Sequence, residues 1–403
     1  MTRAEDIQLV FADSDKHIKA ANNDSGWLMG ELLGNCVGLV SGRKWEKLRA
    51  ITEVPFLHNA ASSYVDGIEW RVKRHFDSLH ENGALNQGIL NPVDDFKFLP
   101  FSILADIIYG EAWRFAEEEL RNLIPLRESI FAAVIQGGIT RFSWSQYISL
   151  SRIRDLRTFK KAWSNFNDKV HEKAVEHGIS SPIVQYYEAI GSGVSTKEEI
   201  LQTLDEMLFA NLDVTMGGIS WVLMFLASNQ KMQTELYEEI KQSTFDRDER
   251  DELKSYISSS STLLSVFIME SSRLKPLAAF SVPQGVPTSR IVGGFIIPAG
   301  TNCIVDSHAL NTNTTFWGDD SNAFRPSRFL ERSATKSRYQ FWRFGFGPRT
   351  CMGKHIANII MRVLLTHLVK NYNLQLISGE TAWEKNKETW ISHPDTVLRC
   401  EKR

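Results

Sequence analysis

The 403 residues are 43% hydrophobic and 23% charged, with a formal net charge of −2. That balance supplies a large apolar core, excludes an intrinsically disordered chain, and gives no general attraction for nucleic acid or an acidic membrane. The four cysteines (Cys36, Cys303, Cys351 and Cys400) are far apart and form no Cys-x-x-Cys pair, which excludes a disulfide framework and points to a reducing, intracellular compartment.

In chain order, Glu5-Asp6-Ile7-Gln8-Leu9-Val10 reads as the start of an early helix. Trp45 and Arg49 follow at i and i+4 on a helix that also carries Lys44 and Lys47, so both project from one face. The longest helical pattern covers 197–229. It opens on Thr196 and Glu199 in capping-box spacing and is apolar on nearly all sides by residues 221–225. An uninterrupted helix of that length spans roughly 45 Å, enough to cross a domain. The longest purely apolar run, 221–227, is too short to span a bilayer, and no leader peptide is legible.

A second helix is expected over 261–274, ending before Pro276. Glu270 and Arg273 stand at i and i+3 on it and can pair. Phe280-Ser281-Val282 and Phe295-Ile296-Ile297 read as strands, with a turn at Pro298-Ala299-Gly300. Residues 311–339 show little periodicity, and so long an irregular stretch is usually functional. Short strands are expected after Tyr372.

The densest chemistry lies at Phe344-Gly345-Phe346-Gly347-Pro348-Arg349-Thr350-Cys351-Met352-Gly353, ahead of a helical pattern over 356–368. A thiol at a helix N-terminus meets unpaired N–H groups and the positive end of the dipole, which favour the thiolate that ligates metals. Gly345, Gly347 and Gly353 allow tight turns and close approach to a flat ligand. Arg349 can neutralise a carboxylate on that ligand, and Phe344 can keep water from the sulfur.

This Phe-x-x-Gly-x-Arg-x-Cys-x-Gly pattern resembles the haem loop of the cytochrome P450 family of haem-thiolate monooxygenases. The resemblance covers essentially the whole chain and is closest to fungal enzymes of secondary metabolism, including those that tailor peptide-derived toxins. It implies one mainly α domain over 1–403 with a small β portion. It also implies that the family's first helix, some strands and a eukaryotic membrane anchor lie outside this sequence; a form carrying such an anchor would sit on the endoplasmic reticulum. The implied cofactor is haem b, with Cys351 as axial ligand and Trp45, Arg49 and Arg349 at the propionates. Glu270, Arg273 and Arg328, the last in Pro326-Ser327-Arg328-Phe329, match the family's structural Glu-Arg-Arg network. Gln284 stands where relatives often carry a further propionate partner, an Arg or His.

The resemblance further implies proton handling at Asp213, Thr215 and Asn211 within Ala210-Asn211-Leu212-Asp213-Val214-Thr215. Here the chain departs from the family: Val214 fills the usual alcohol position, Thr215 comes one residue late, and a local π-bulge is one way to re-aim it. Ala278, Phe280, Ser281 and Val282 correspond to the family's substrate lining, with Phe142 and Trp144 on a roof helix. The expected partner is a separate NADPH-cytochrome reductase docking near Lys44, Lys47 and Lys354, with a small hydrophobic substrate and a monomeric enzyme. Val214 keeps open oxidative coupling or rearrangement without oxygen insertion, and a haem-binding protein without turnover is the remaining alternative.

Overall fold

The computed structural model describes residues 1–148, 150–243, 249–377, 383 and 391–403. Helices dominate it, and the strands are short and peripheral. The N-terminal residues form the helix Ala4–Phe11, and Trp45 and Arg49 lie on the helix Gly42–Thr52, as their spacing predicts.

The deepest element is the helix Val214–Ser228, in which every residue from Thr215 to Ala227 is buried. Its apolar side chains leave water on all sides, and each large one contributes about 1.5–3 kcal/mol to that burial. It does not run unbroken from residue 197. An α-helix ends at Phe209, a 3₁₀ turn follows over Ala210–Leu212, and the second α-helix starts at Val214. The stretch Lys197–Ser228 is long and apolar enough by composition to cross a membrane, but 78% of its apolar window is buried inside the protein, so it serves as core. Its start is the expected capping box: Thr196 accepts the Glu199 N–H, and Glu199 accepts the Thr196 N–H.

The helix Leu263–Leu274, capped by Thr262, carries Glu270 and Arg273. The expected strand at 280–282 is reduced to a single bridge between Phe280 and Asp306. The Phe295–Ile297 strand does form, in a hairpin with Arg290–Val292. A three-stranded sheet joins Ile18–Lys19, Gln284–Gly285 and Asn302–Cys303. A second joins Ile89–Leu90, Leu398–Lys402 and Tyr372–Leu376, which supplies the strands expected after Tyr372. The roof helix expected at Phe142 and Trp144 is instead a pair of 3₁₀ turns, Gly138–Arg141 and Ser143–Tyr147, with both aromatics exposed.

Candidate active site

The helix Lys354–Asn371 follows the cysteine loop at once. Two glycines make the turn. Gly345 and Gly347 have φ of +78° and +72°, a region costly to any residue with a Cβ. A Cβ on Gly347 would also lie 2.3 Å from the Phe11 carbonyl oxygen. Gly353 differs from expectation: its φ is −79° and a Cβ there would meet nothing within 4 Å, so the turn itself does not require it.

The Cys351 N–H donates to the Phe344 carbonyl at 2.8 Å, which closes the loop and fixes the sulfur's position. The Cys351 side chain is exposed, yet protein surrounds it closely enough for burial to be the main influence on its thiol. Both hold when a side chain looks into an internal cleft. Burial pushes the thiol pKa up, against the Gly353 N–H and the charges of Arg49 and Lys354. The helix terminus alone therefore does not make a thiolate here, contrary to the sequence expectation; a bound cation would have to supply the rest.

Three predicted residues converge beside the loop. The Arg349 guanidinium lies 4.6 Å from the centre of the Trp45 ring, and its Nη2 donates to the Val40 carbonyl at 2.7 Å. Arg49 donates to the Thr350 carbonyl at 3.2 Å and to Glu53 at 2.6 Å. The Nε of Arg349 is buried and has no hydrogen-bond partner among the described residues. Burial, then the neighbouring Arg49, pushes the Arg349 pKa down to about 10. A half-enclosed cluster with surplus positive charge and an unanswered donor is chemically suited to an anionic ligand, and the two carboxylates of haem b fit it.

The support behind the loop is one buried ionic network. Arg273 forks onto Glu270 at 2.7 and 2.8 Å, and Arg328 donates to Glu270 at 2.9 Å; all three side chains are 0% exposed. The Arg273 Nη1 also binds the Asn311 and Ser321 carbonyls, while Arg328 binds Trp317 and Ala323 carbonyls and Asp320. The Asn311 side chain exchanges two hydrogen bonds with the Trp342 backbone, at 2.7 and 3.0 Å. That amide clamp carries the network's rigidity to within two residues of Phe344. The sequence pattern named the three charged residues but not Asn311 or Asp320, because an Asn–backbone clamp leaves no spacing signature.

Ser14 was also missed: its hydroxyl accepts the Arg349 N–H and donates to the Phe346 carbonyl, both at 3.4 Å. It ties the N-terminal segment to the loop, beside the packed rings of Phe11, Trp342 and Phe346.

The helix break opens a strip in an otherwise buried element. Ala210 is exposed, and Asn211, Asp213 and Val214 are partly so. One turn later the two helices meet: a Cβ on Gly218 would lie 2.6 Å from Met361, on the helix that follows Cys351, and 3.8 Å from Leu277. No π-bulge forms at Thr215; a 3₁₀ turn precedes it, and its hydroxyl turns back along the chain. Its hydroxyl donates to Asn211 Oδ1 at 2.6 Å, and the Asn211 amide donates to the Met207 carbonyl at 2.6 Å. Glu206, on the same helix, was not anticipated. It accepts the Gly38 N–H at 2.9 Å, and burial pushes its carboxyl pKa up.

The substrate-lining candidates divide. Phe280 and Val282 are exposed. Ser281 is buried, and its hydroxyl accepts the Val305 N–H. The Ala278 carbonyl accepts from the Ser307 hydroxyl. Lys44 turns inward to Glu199 at 3.2 Å and Asn35 at 2.7 Å, while Lys47 stays exposed.

A family model described as Cytochrome P450 matches residues 1–399. This chain belongs to the cytochrome P450 family. Among its relatives, cytochrome P450 monooxygenase aclC of Aspergillus oryzae is 48% identical over 100% of this chain and 82% of its own length. Cytochrome P450 monooxygenase asaD of Aspergillus flavus is 44% identical over 100% and 77%. Cytochrome P450 monooxygenase roqR of Penicillium rubens is 39% identical over 97% and 78%. The P450 is thus a haem-dependent oxidoreductase of the monooxygenase type, with haem b as cofactor and a redox partner as electron source.

Proposed function

We propose that this P450 oxidises a small, largely hydrophobic secondary metabolite, one of peptide origin being a suitable class, with electrons from NADPH delivered through a separate reductase. The observation that carries the reading is the accessible strip at Ala210–Val214 in a helix otherwise sealed in the core. It leaves a carboxylate, an amide and an apolar side chain partly exposed, about one turn before Gly218, whose neighbours are Leu277 and Met361 of the helix that begins just after Cys351. That mixture suits an apolar molecule with one or two polar groups.

Haem b, when bound, supplies dioxygen activation and one-electron chemistry, and a thiolate ligand favours O–O cleavage. In this reading Cys351 Sγ would bind the haem iron, and Arg49, Arg349 and Trp45 would hold the haem carboxylates. Phe344 shields the sulfur, its own ring covered by the Arg343 guanidinium 4.6 Å away. Asp213 holds the proton at its carboxyl oxygen and passes it into the cleft. Asn211 orients the Thr215 hydroxyl by accepting its proton in a hydrogen bond, which leaves that hydroxyl less free to donate elsewhere.

That engagement, with the partly exposed Val214 where the family has an alcohol, favours a second reading: one-electron oxidation that couples or rearranges the substrate without inserting oxygen. The test incubates the enzyme with NADPH, a purified reductase and ¹⁸O-labelled dioxygen against apolar amides and alcohols. A labelled product is expected. An unlabelled product with substrate-dependent NADPH use selects coupling, and NADPH use that no substrate alters rejects both readings.

A further inference from the structure

Glu206 breaks the burial pattern of the helix Lys197–Phe209. Every residue from Gln202 to Phe209 is buried except Glu206, which is partly exposed. The Ala210 N–H donates to the Glu206 carbonyl, so helical spacing carries through to the break and sets Glu206 one turn before the exposed Ala210, on the same face. Protein nevertheless surrounds the carboxyl closely enough for burial to be the main influence on it, the same combination as at Cys351. The Glu206 charge also acts on the Cys351 thiol, so the two groups share one neighbourhood.

The polar neighbours of Glu206 on this helix are engaged by the protein. Glu199 accepts the Thr196 N–H at 2.9 Å and meets Lys44 at 3.2 Å. Gln202 accepts the Asn35 N–H at 2.6 Å, and Thr203 accepts the Val37 N–H at 3.1 Å. Asp205 pairs with Arg127 at 2.8 Å. Glu206 differs: it accepts the Gly38 N–H at 2.9 Å and is met by the Cys36 thiol, while Lys19 acts on it only from a distance. Two donors leave about half of the roughly four acceptor positions of a carboxylate unanswered. The group is also firmly seated, because a Cβ on Gly38 would lie 1.7 Å from Glu206 Oε1. A fixed, enclosed carboxylate short of donors is costly alone and becomes favourable when a ligand supplies one.

We propose that Glu206 orients the substrate by accepting a hydrogen bond from a neutral amide N–H of that substrate. The inference rests on the reading of this P450 as the oxidant of an apolar metabolite of peptide origin, and names the group by which such a metabolite is held. A neutral donor matches the site because the Lys19 ammonium already supplies positive charge nearby. The alternative is that Glu206 only pins the segment 35–38, as Gln202 and Thr203 do.

The test reads binding from the haem Soret shift of the holoenzyme. The probes are apolar secondary amides, cyclic dipeptides among them, each paired with its N-methyl counterpart. Wild type is expected to bind an N–H amide at least tenfold more tightly than the N-methyl form, the range of a hydrogen bond to a charged group. Glu206→Leu should bind the two forms alike, and Glu206→Gln, which keeps an acceptor, should retain part of the preference. Thr203→Val, which releases Val37 and leaves the carboxyl in place, should keep the wild-type preference. If Glu206→Leu does not load haem, Glu206→Gln decides, and an undiminished preference there overturns the proposal. It is also overturned if the preference survives Glu206→Leu, if Thr203→Val removes it equally, or if no amide outbinds its N-methyl form in wild type. Apolar ligands that shift the band without this preference leave the proposed function standing; a haem-loaded protein that no ligand shifts removes both.

Discussion

The two walls of the proposed site are built on opposite terms. Behind the cysteine loop, a buried carboxylate meets two guanidiniums, and backbone carbonyls answer most of the remaining donors. On its other side, the long helix is broken for one turn, and its partly exposed strip is held in part by side-chain hydrogen bonds from Thr215 through Asn211 to Met207. A charged network fixes geometry because half-satisfied it is worse than none. A helix break provides reactive groups because its backbone and side chains are not all committed to the ladder. The first wall should fail all at once and the second by degrees.

The largest expected effect is therefore at Glu270. Glu270→Ala leaves two buried guanidiniums without their carboxylate, a loss of about 3–5 kcal/mol. Urea unfolding should show it, and the protein should be recovered largely haem-free. Normal haem content and an unchanged midpoint would contradict the rigid-wall account.

On the other wall, Asp213→Asn should keep fold and haem content but slow turnover by roughly 10²-fold, the usual range for a positioned general acid. Steady-state NADPH oxidation and product yield measure it. An unchanged rate would move the proton route elsewhere, with Glu206 the next carboxyl to examine.

A smaller effect is expected where the broken helix begins. Burial works against the charge on Glu199, but the Thr196 N–H, the Ser195 hydroxyl and Lys44 outweigh it and hold the carboxyl down at about 2. A depressed carboxyl stabilises the fold above its unfolded value near 4.5 and loses that contribution as pH falls towards 2. Glu199→Gln should cost about 1 kcal/mol at pH 7, and its gap from wild type should narrow in acid. A gap that does not change with pH would remove the charge from the explanation.

The smallest effect is expected at Thr215. With its hydroxyl committed to Asn211, Thr215→Ala should lose less than tenfold in turnover, below about 1.4 kcal/mol in barrier. Asn211→Ala, which frees that hydroxyl, should change peroxide release more than Thr215→Ala does. A larger loss at Thr215, with peroxide rising in step, would return the distal wall to alcohol-dependent proton delivery.

The difference between the walls also explains what could be read from the amino acids. Glu270, Arg273 and Arg328 were legible through the resemblance to the family's Glu-x-x-Arg and Pro-x-Arg-Phe patterns; spacing alone gave only the i, i+3 pairing of Glu270 with Arg273. Gly345 and Gly347 were legible because positive φ nearly dictates the residue. The break at Ala210–Leu212 was not, since no Pro or Gly marks it and the flanking apolar pattern continues in phase. Asn311, Ser14 and Glu206 escaped for a related reason: each binds backbone far away in sequence, and such bonds leave no periodic trace. The thiol of Cys351 was misjudged because a helix terminus is visible in sequence and burial is not.

The central proposal is that Cys351, backed by the rigid wall, would bind the haem iron. The most direct measurement is the absorption spectrum of the dithionite-reduced, carbon monoxide-bound protein, for wild type and for Cys351→Ala reconstituted with haem. The account predicts the red-shifted Soret band of a thiolate complex in wild type and its loss in the variant. A Cys351→Ala protein that keeps the red-shifted band would contradict it.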